Sequence, residues 1–196
     1  MRNIITISRP FGAGGGVIGR KVADRLGYYY CDRDIIIQSA MKSTQLGAED
    51  FREYDEKLPI SLGFGQSLFE FYNRPTSDKI FEAQREAIIS IGEKRNCVIV
   101  GRNSNIILKE FDHSLHVFVT ASDYFRINLL KERMPGATES EIRARMRSVD
   151  KARKKSCSYY THTAFGDAAQ YDLCLMSSKL GIDKCVDVIC DLAQTI

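Results

Sequence analysis

Ile4-Ile5-Thr6-Ile7-Ser8-Arg9-Pro10-Phe11-Gly12-Ala13-Gly14-Gly15-Gly16-Val17-Ile18-Gly19 sets a short apolar, β-branched run directly before four glycines in five residues, with a helical repeat directly after them. Such glycines let the backbone take positive φ and bring its N–H groups close to a ligand. A loop of this kind opening onto a helix N-terminus attracts anions, because the unpaired amides and the helix dipole both favour phosphate. A purely structural turn would need only one or two of these glycines.

Two phosphate motifs compete for the loop. Gly14, Gly16 and Gly19 match G-x-G-x-x-G, with Asp32 about where a dinucleotide fold holds a ribose hydroxyl. That fingerprint begins at the strand end, whereas Arg9 to Ala13 intervene here. Measured instead as G-x-x-x-x-G-K-S/T, Arg9 stands at the first glycine, Gly14 at the second and Gly15 at the lysine. The loop length fits, but the lysine is missing, and Val17 stands where some nucleotide kinases carry the hydroxyl that ligates Mg²⁺.

Outward from the loop, apolar runs recur at Ile4 to Ser8, Tyr28 to Cys31, Cys97 to Val100, Leu115 to Thr120 and Tyr171 to Met176. Helical patterns lie between them, so the chain reads as a parallel α/β sheet. Ile18, Val22 and Leu26 repeat at helical spacing and stop at Gly27, a C-terminal cap. Ile80, Ala83, Ala87, Ile88 and Ile91 mark a second helix, opened by Ser77 or Asp78. Thr138 with Glu141 forms a capping box after Pro135-Gly136, and Ile182, Val186, Ile189 and Ala193 mark the last helix. Residues 44–77, with the acidic Glu49 to Glu56 patch and the Gly/Phe-rich Ser61 to Phe71, and residues 135–168 read as insertions beside this core.

The chain has 196 residues, 44% hydrophobic and 27% charged, a balance that excludes disordered, collagenous and coiled-coil classes. A domain of that length buries roughly 70% of its extended surface, so its core needs neither disulfides nor a structural metal. No apolar run is long enough for a membrane span, and the six cysteines lack C-x-x-C spacing. A cytoplasmic location is the expectation, with the cysteines as packing residues. His113, His116 and His162 are not at metal-ligand spacing, and no protein metal ligand is assigned. The net charge is +3, yet residues 143–155 alone carry +6, so the rest of the chain sums to −3. A cationic stretch of that density attracts a polyanion.

Three further segments give the chain a resemblance to the cytidylate kinase-like branch of the P-loop nucleoside monophosphate kinases. Val98-Ile99-Val100-Gly101-Arg102-Asn103 is similar to that family's strand followed by Gly-Arg-Asp. Val117-Phe118-Val119-Thr120-Ala121-Ser122-Asp123-Tyr124-Phe125-Arg126 follows its strand, Thr-Ala-Ser and arginine-bearing helix. Arg147-Ser148-Val149-Asp150-Lys151-Ala152-Arg153 resembles its lid pattern R-x-x-D-x-x-R, with Tyr171-Asp172-Leu173 and Ser177 downstream. In the branch, glycine rather than lysine is usual at the position of Gly15, and Arg-Glu is common where this chain has Gly16-Val17. Asn103 replaces the usual acid.

The resemblance implies a three-layer α/β P-loop kinase fold with a five-stranded parallel sheet, one domain over 1–196, a monophosphate-binding insertion over about 33–95 and an arginine-rich helical lid over about 133–168. It implies phosphoryl transfer from ATP, with Mg²⁺, to a nucleoside monophosphate, CMP or dCMP first. Gly12, Ala13, Gly14, Gly15, Gly16 and Val17 are the expected donor-phosphate cradle. Arg9, Arg147 and Arg153 are the expected catalytic cations, and Asp32, Arg102, Arg126 and Asp150 the expected substrate contacts. Asp32 also reads as a cap for the helix that follows it, and Arg126 also reads as a solvated cation. Tyr159 and Tyr160 read either as a base-stacking pair or as packing against the lid helix. The alternative is a nucleotide-binding regulatory protein with weak or no turnover. A nucleic-acid module using residues 143–155 and a dinucleotide oxidoreductase stand behind both.

Overall fold

A computed structural model describes residues 3–43 and 76–195. Residues 44–75, which hold most of the expected monophosphate-binding insertion, lie outside the described residues.

Five short strands, β1 (Ile4–Ser8), β2 (Tyr29–Cys31), β3 (Cys97–Val100), β4 (Ser114–Thr120) and β5 (Leu173–Met176), pair in the order β2-β3-β1-β4-β5. Every pairing is parallel. Parallel strands need crossovers, and the helices supply them: α1 (Gly15–Leu26), α2 (Arg33–Ser43), α3 (Thr76–Lys94), α4 (Ser104–Ile107), α5 (Asp123–Arg133), α6 (Glu139–Thr161), α7 (Ser177–Leu180) and α8 (Ile182–Thr195).

The side-chain alternation of each strand divides the core into two faces. Ile5, Ile7, Val98, Val100 and Val117 face one way and pack with Ile18 and Val22 of α1 and Val186 and Ile189 of α8. Ile4, Ile99 and Cys31 face the other way, against Ile36 of α2, Ile88 of α3 and Leu108. Each such fully buried aliphatic side chain contributes about 1.5–3 kcal/mol relative to exposure. Polar side chains on this face are matched: the Thr6 hydroxyl lies 2.8 Å from His116 Nδ1 on the neighbouring strand, and the Ser8 hydroxyl donates to Asn105 Oδ1 at 3.2 Å. Burial pushes the Cys31 and Cys97 thiols up to about 12, so they act as uncharged packing groups.

Several boundaries differ from the sequence reading. β5 starts at Leu173 rather than Tyr171, because the Asp172 carboxylate takes the His116 N–H at 2.7 Å where a strand ladder would otherwise continue. Helix α3 is already formed at Thr76, so Ser77 and Asp78 lie in its first turn instead of capping it. Asp78 there accepts a hydrogen bond from the Tyr160 hydroxyl, 3.1 Å away. Gly27 caps α1 in the left-handed region, and the Thr138–Glu141 capping box opens α6, both as the sequence predicts.

Helix α6 carries the whole cationic segment. Its Ile142 and Met146 pack on Ile127 and Leu130 of α5. At its far end the Tyr160 ring stacks on Phe81 of α3, with centroids 3.9 Å apart and planes within 6°. Of the two readings for Tyr160, the structure shows packing.

Candidate functional site

The loop between β1 and α1 lies at the carboxyl edge of the sheet, where open parallel sheets collect ligands. Gly12 and Gly14 have φ of 80° and 84°. Gly14 is the N-cap of α1 and offers no side-chain cap, so the first-turn amides of Gly15, Gly16 and Val17 have no carbonyl one turn back to bond. The Ser177 hydroxyl, fully buried, braces the loop from beneath at 2.8 Å from the Ala13 carbonyl and 3.1 Å from that of Thr120. The loop therefore presents backbone donors from a fixed base, a geometry suited to the phosphates of a nucleotide.

The side chain of Arg9 runs across this loop. A Cβ added to Gly15 would lie 2.8 Å from Arg9 Cγ, and one added to Gly101 would overlap the Arg9 guanidinium. Arg9 thus occupies the space in which a side chain at position 15 would begin, and carries its charge to the end of β3. Both glycines are required by that path.

Arg9 shares a cleft with Arg33, Arg102 and Arg153, lined also by Ser8, Gln84 and Asn105. Arg102 stands just past β3, in the left-handed region at φ 61°, between Gly101 and Asn103, which are left-handed too. For an arginine that conformation costs about 1–2 kcal/mol, strain of the kind that gathers at ligand sites. Arg153 comes from α6 and donates from Nη1 to the Arg9 carbonyl at 3.0 Å. Four guanidinium groups line this cleft, a composition that favours an anionic ligand.

Asp150 and Arg126 meet the loop from the other side. The Phe11 N–H donates to Asp150 Oδ1 at 2.7 Å, while Arg126 Nε donates to the Phe11 carbonyl at 2.7 Å. Arg126 Nη2 donates to Asp150 Oδ2, and Nη1 to Asp123 Oδ1 at 3.1 Å. All three nitrogens of the Arg126 guanidinium are engaged by protein.

The expected site residues therefore separate into groups. The structure brings together Arg9, Arg102, Arg153 and the cradle from Gly12 to Val17. It turns Arg126 and Asp150 onto the loop backbone. Arg147 lies in a second, more exposed groove with Arg143, Lys151, Lys154 and Lys155, whose wall Arg126 and Asp150 also help to form. Asp32 accepts from the Asp34 and Ile35 amides at 3.1 and 3.3 Å, and pairs with Arg20 at 3.7 Å, so the helix-cap reading is realised. Arg20 also stacks on Tyr30, 4.0 Å from the ring centre, and burial holds the Tyr30 hydroxyl above its usual range as it donates to the Gly16 carbonyl. Arg33 and Gln84 were not anticipated. Arg33 follows β2 as Arg102 follows β3, so the same strand-end rule would have found it; Gln84, one turn after Ile80 within an apolar repeat, left no such signal.

The model of the cytidylate kinase-like family matches residues 4–179. Among curated proteins, none matches. An uncharacterized protein from Eubacterium ventriosum superposes with a TM-score of 0.76 at 22% identity, covering 98% of this chain and 99% of its own. Shikimate kinase from Bacteroides thetaiotaomicron superposes at 0.57 and 15% identity, covering 99% of each chain. A third structure, TT1252 from Thermus thermophilus, superposes at 0.52 and 15% identity, covering 100% of this chain and 98% of its own. These likenesses establish the fold, an α/β P-loop kinase architecture with a five-stranded parallel sheet.

Proposed function

Because the chain belongs to the cytidylate kinase-like family, we propose that it moves the γ-phosphoryl group of ATP to a nucleoside monophosphate, with CMP or dCMP as the first acceptor. A phosphate oxygen of the acceptor forms a bond to the γ-phosphorus as the bond to the β–γ bridging oxygen breaks. ADP and a nucleoside diphosphate leave. The observation that carries this reading is the path of Arg9 over Gly15, which sets a cation beside the glycine cradle in a loop without lysine.

Phosphoryl transfer depends on positioning and on neutralising charge spread over the transferred group. The amides from Gly12 to Val17 hold the donor phosphates, Arg9 and Arg153 face the transferred group, and Arg102 with Arg33 grips the acceptor phosphate by its planar fork. Helix α6 serves as the lid and excludes water. Mg²⁺ usually keeps several waters and binds through substrate phosphates; carried in with the nucleotide, it would neutralise phosphate charge.

The test is ADP production from ATP and Mg²⁺ with each common nucleoside monophosphate in turn, and with ATP alone. Turnover that requires CMP or dCMP and falls about 10²- to 10³-fold in Arg9→Ala and Arg153→Ala is the expected result. Gly15→Lys alone is expected to be inactive, since it collides with Arg9, whereas Arg9→Gly combined with Gly15→Lys regains turnover. ATP binding without acceptor-dependent turnover for any monophosphate overturns the proposal in favour of a regulatory nucleotide-binding protein.

A further inference from the structure

Phe11 is the one loop residue whose peptide N–H and C=O are both taken by side chains from elsewhere, the first by Asp150 and the second by Arg126. The two side chains are also paired with each other, and are only 18% and 10% exposed. A buried ion pair seldom repays its desolvation relative to apolar packing, so stability does not account for this one. Its geometry does: from different helices, Asp150 holds the peptide that enters Phe11 and Arg126 the peptide that leaves it, so together they fix the Phe11 backbone at the entry to the glycine cradle. The adjoining Arg9 carbonyl is held by Arg153, three residues along α6 from Asp150.

We infer that Asp150 and Arg126 are positioning residues, forming a latch between the lid helix and the glycine loop that sets the affinity for the phosphate donor without touching either substrate. The latch rests on the phosphotransferase reading for its effect on turnover, though not for its effect on the loop. A glycine-rich segment loses much backbone freedom on ordering, and an outside clasp lowers that cost for the donor.

The experiment measures amide hydrogen exchange at Phe11 and Gly12, and calorimetric affinity for a non-hydrolysable ATP analogue, in the full chain and in Asp150→Ala, Asp150→Asn and Arg126→Lys. In Asp150→Ala, exchange at Phe11 speeds up and analogue affinity falls, each about tenfold or more, as expected for losing a charge-assisted hydrogen bond. Asp150→Asn keeps an acceptor for the Phe11 N–H and recovers most of the protection, which also guards against a folding defect in the alanine variant. Where turnover is measurable, the donor KM rises and the acceptor KM does not. Unchanged Phe11 exchange and analogue affinity in Asp150→Ala, or a rise confined to the acceptor KM, overturns the latch. Because exchange and analogue binding need no catalysis, failure to find an acceptor leaves this test intact.

Discussion

Two turns leave the carboxyl edges of the neighbouring strands β1 and β3, and both run through left-handed backbone. After β1 the left-handed positions are Gly12 and Gly14; after β3 they are Gly101, Arg102 and Asn103. The first turn offers its backbone, so any side chain there would be an obstruction, and glycine is the only economical residue. The second turn offers a side chain, and the chain accepts strain at Arg102 to aim it. On the proposed reading, a phosphate held by amides and one held by guanidinium ask opposite things of the same conformation.

The largest expected effect is at Gly12. A methyl group there would lie 2.8 Å from Leu130 Cδ1 and 3.1 Å from the Arg126 carbonyl, at a φ of 80°. Gly12→Ala should lose about 2–3 kcal/mol in urea denaturation and most of its ATP-analogue affinity in calorimetry. If it is as stable as the wild type, the glycines of the first turn are not required by conformation and the comparison breaks.

Arg102 sharpens it. Arg102→Ala should raise the acceptor KM about 10- to 100-fold while changing stability little. Arg102→Gly should lose the acceptor equally yet prove about 1 kcal/mol more stable than Arg102→Ala in the same denaturation assay, because glycine meets the left-handed position without strain. Equal stability of the two variants would mean that no strain is stored there.

The smallest effect belongs to Asn103, whose φ of 54° suits asparagine better than most residues. Asn103→Ala should cost about 0.5–1 kcal/mol by thermal or urea unfolding, and Asn103→Gly less than about 0.5. A cost in Asn103→Gly that matches the alanine variant would assign Asn103 a bond rather than a conformation.

Much of the fold was legible because its signals are local. β-branched runs name the strands, Gly27 ends α1, and Thr138 with Glu141 opens α6. The left-handed glycine turn after β1 was legible for the same reason. What the sequence could not say is which neighbour a helical side chain meets. Arg147 and Arg153 belong to one motif, yet six residues on a helix put them about 120° apart, so one lies in the exposed groove and the other in the arginine cleft. Asp150 and Arg126 are expected as substrate contacts from the motifs that carry the family resemblance. Only the docking of α6 against α5 and the loop, made by Ile142 and Met146, reveals that both also hold the Phe11 backbone.

The Tyr160 stack on Phe81 gives that helix a mechanical character. Helix α6, at 23 residues, is a rod about 35 Å long, supported at one end by α5, near its middle by the glycine loop and at the other end by α3. A helix held at three points moves as one piece, so α5, the glycine loop and α3 share a single brace.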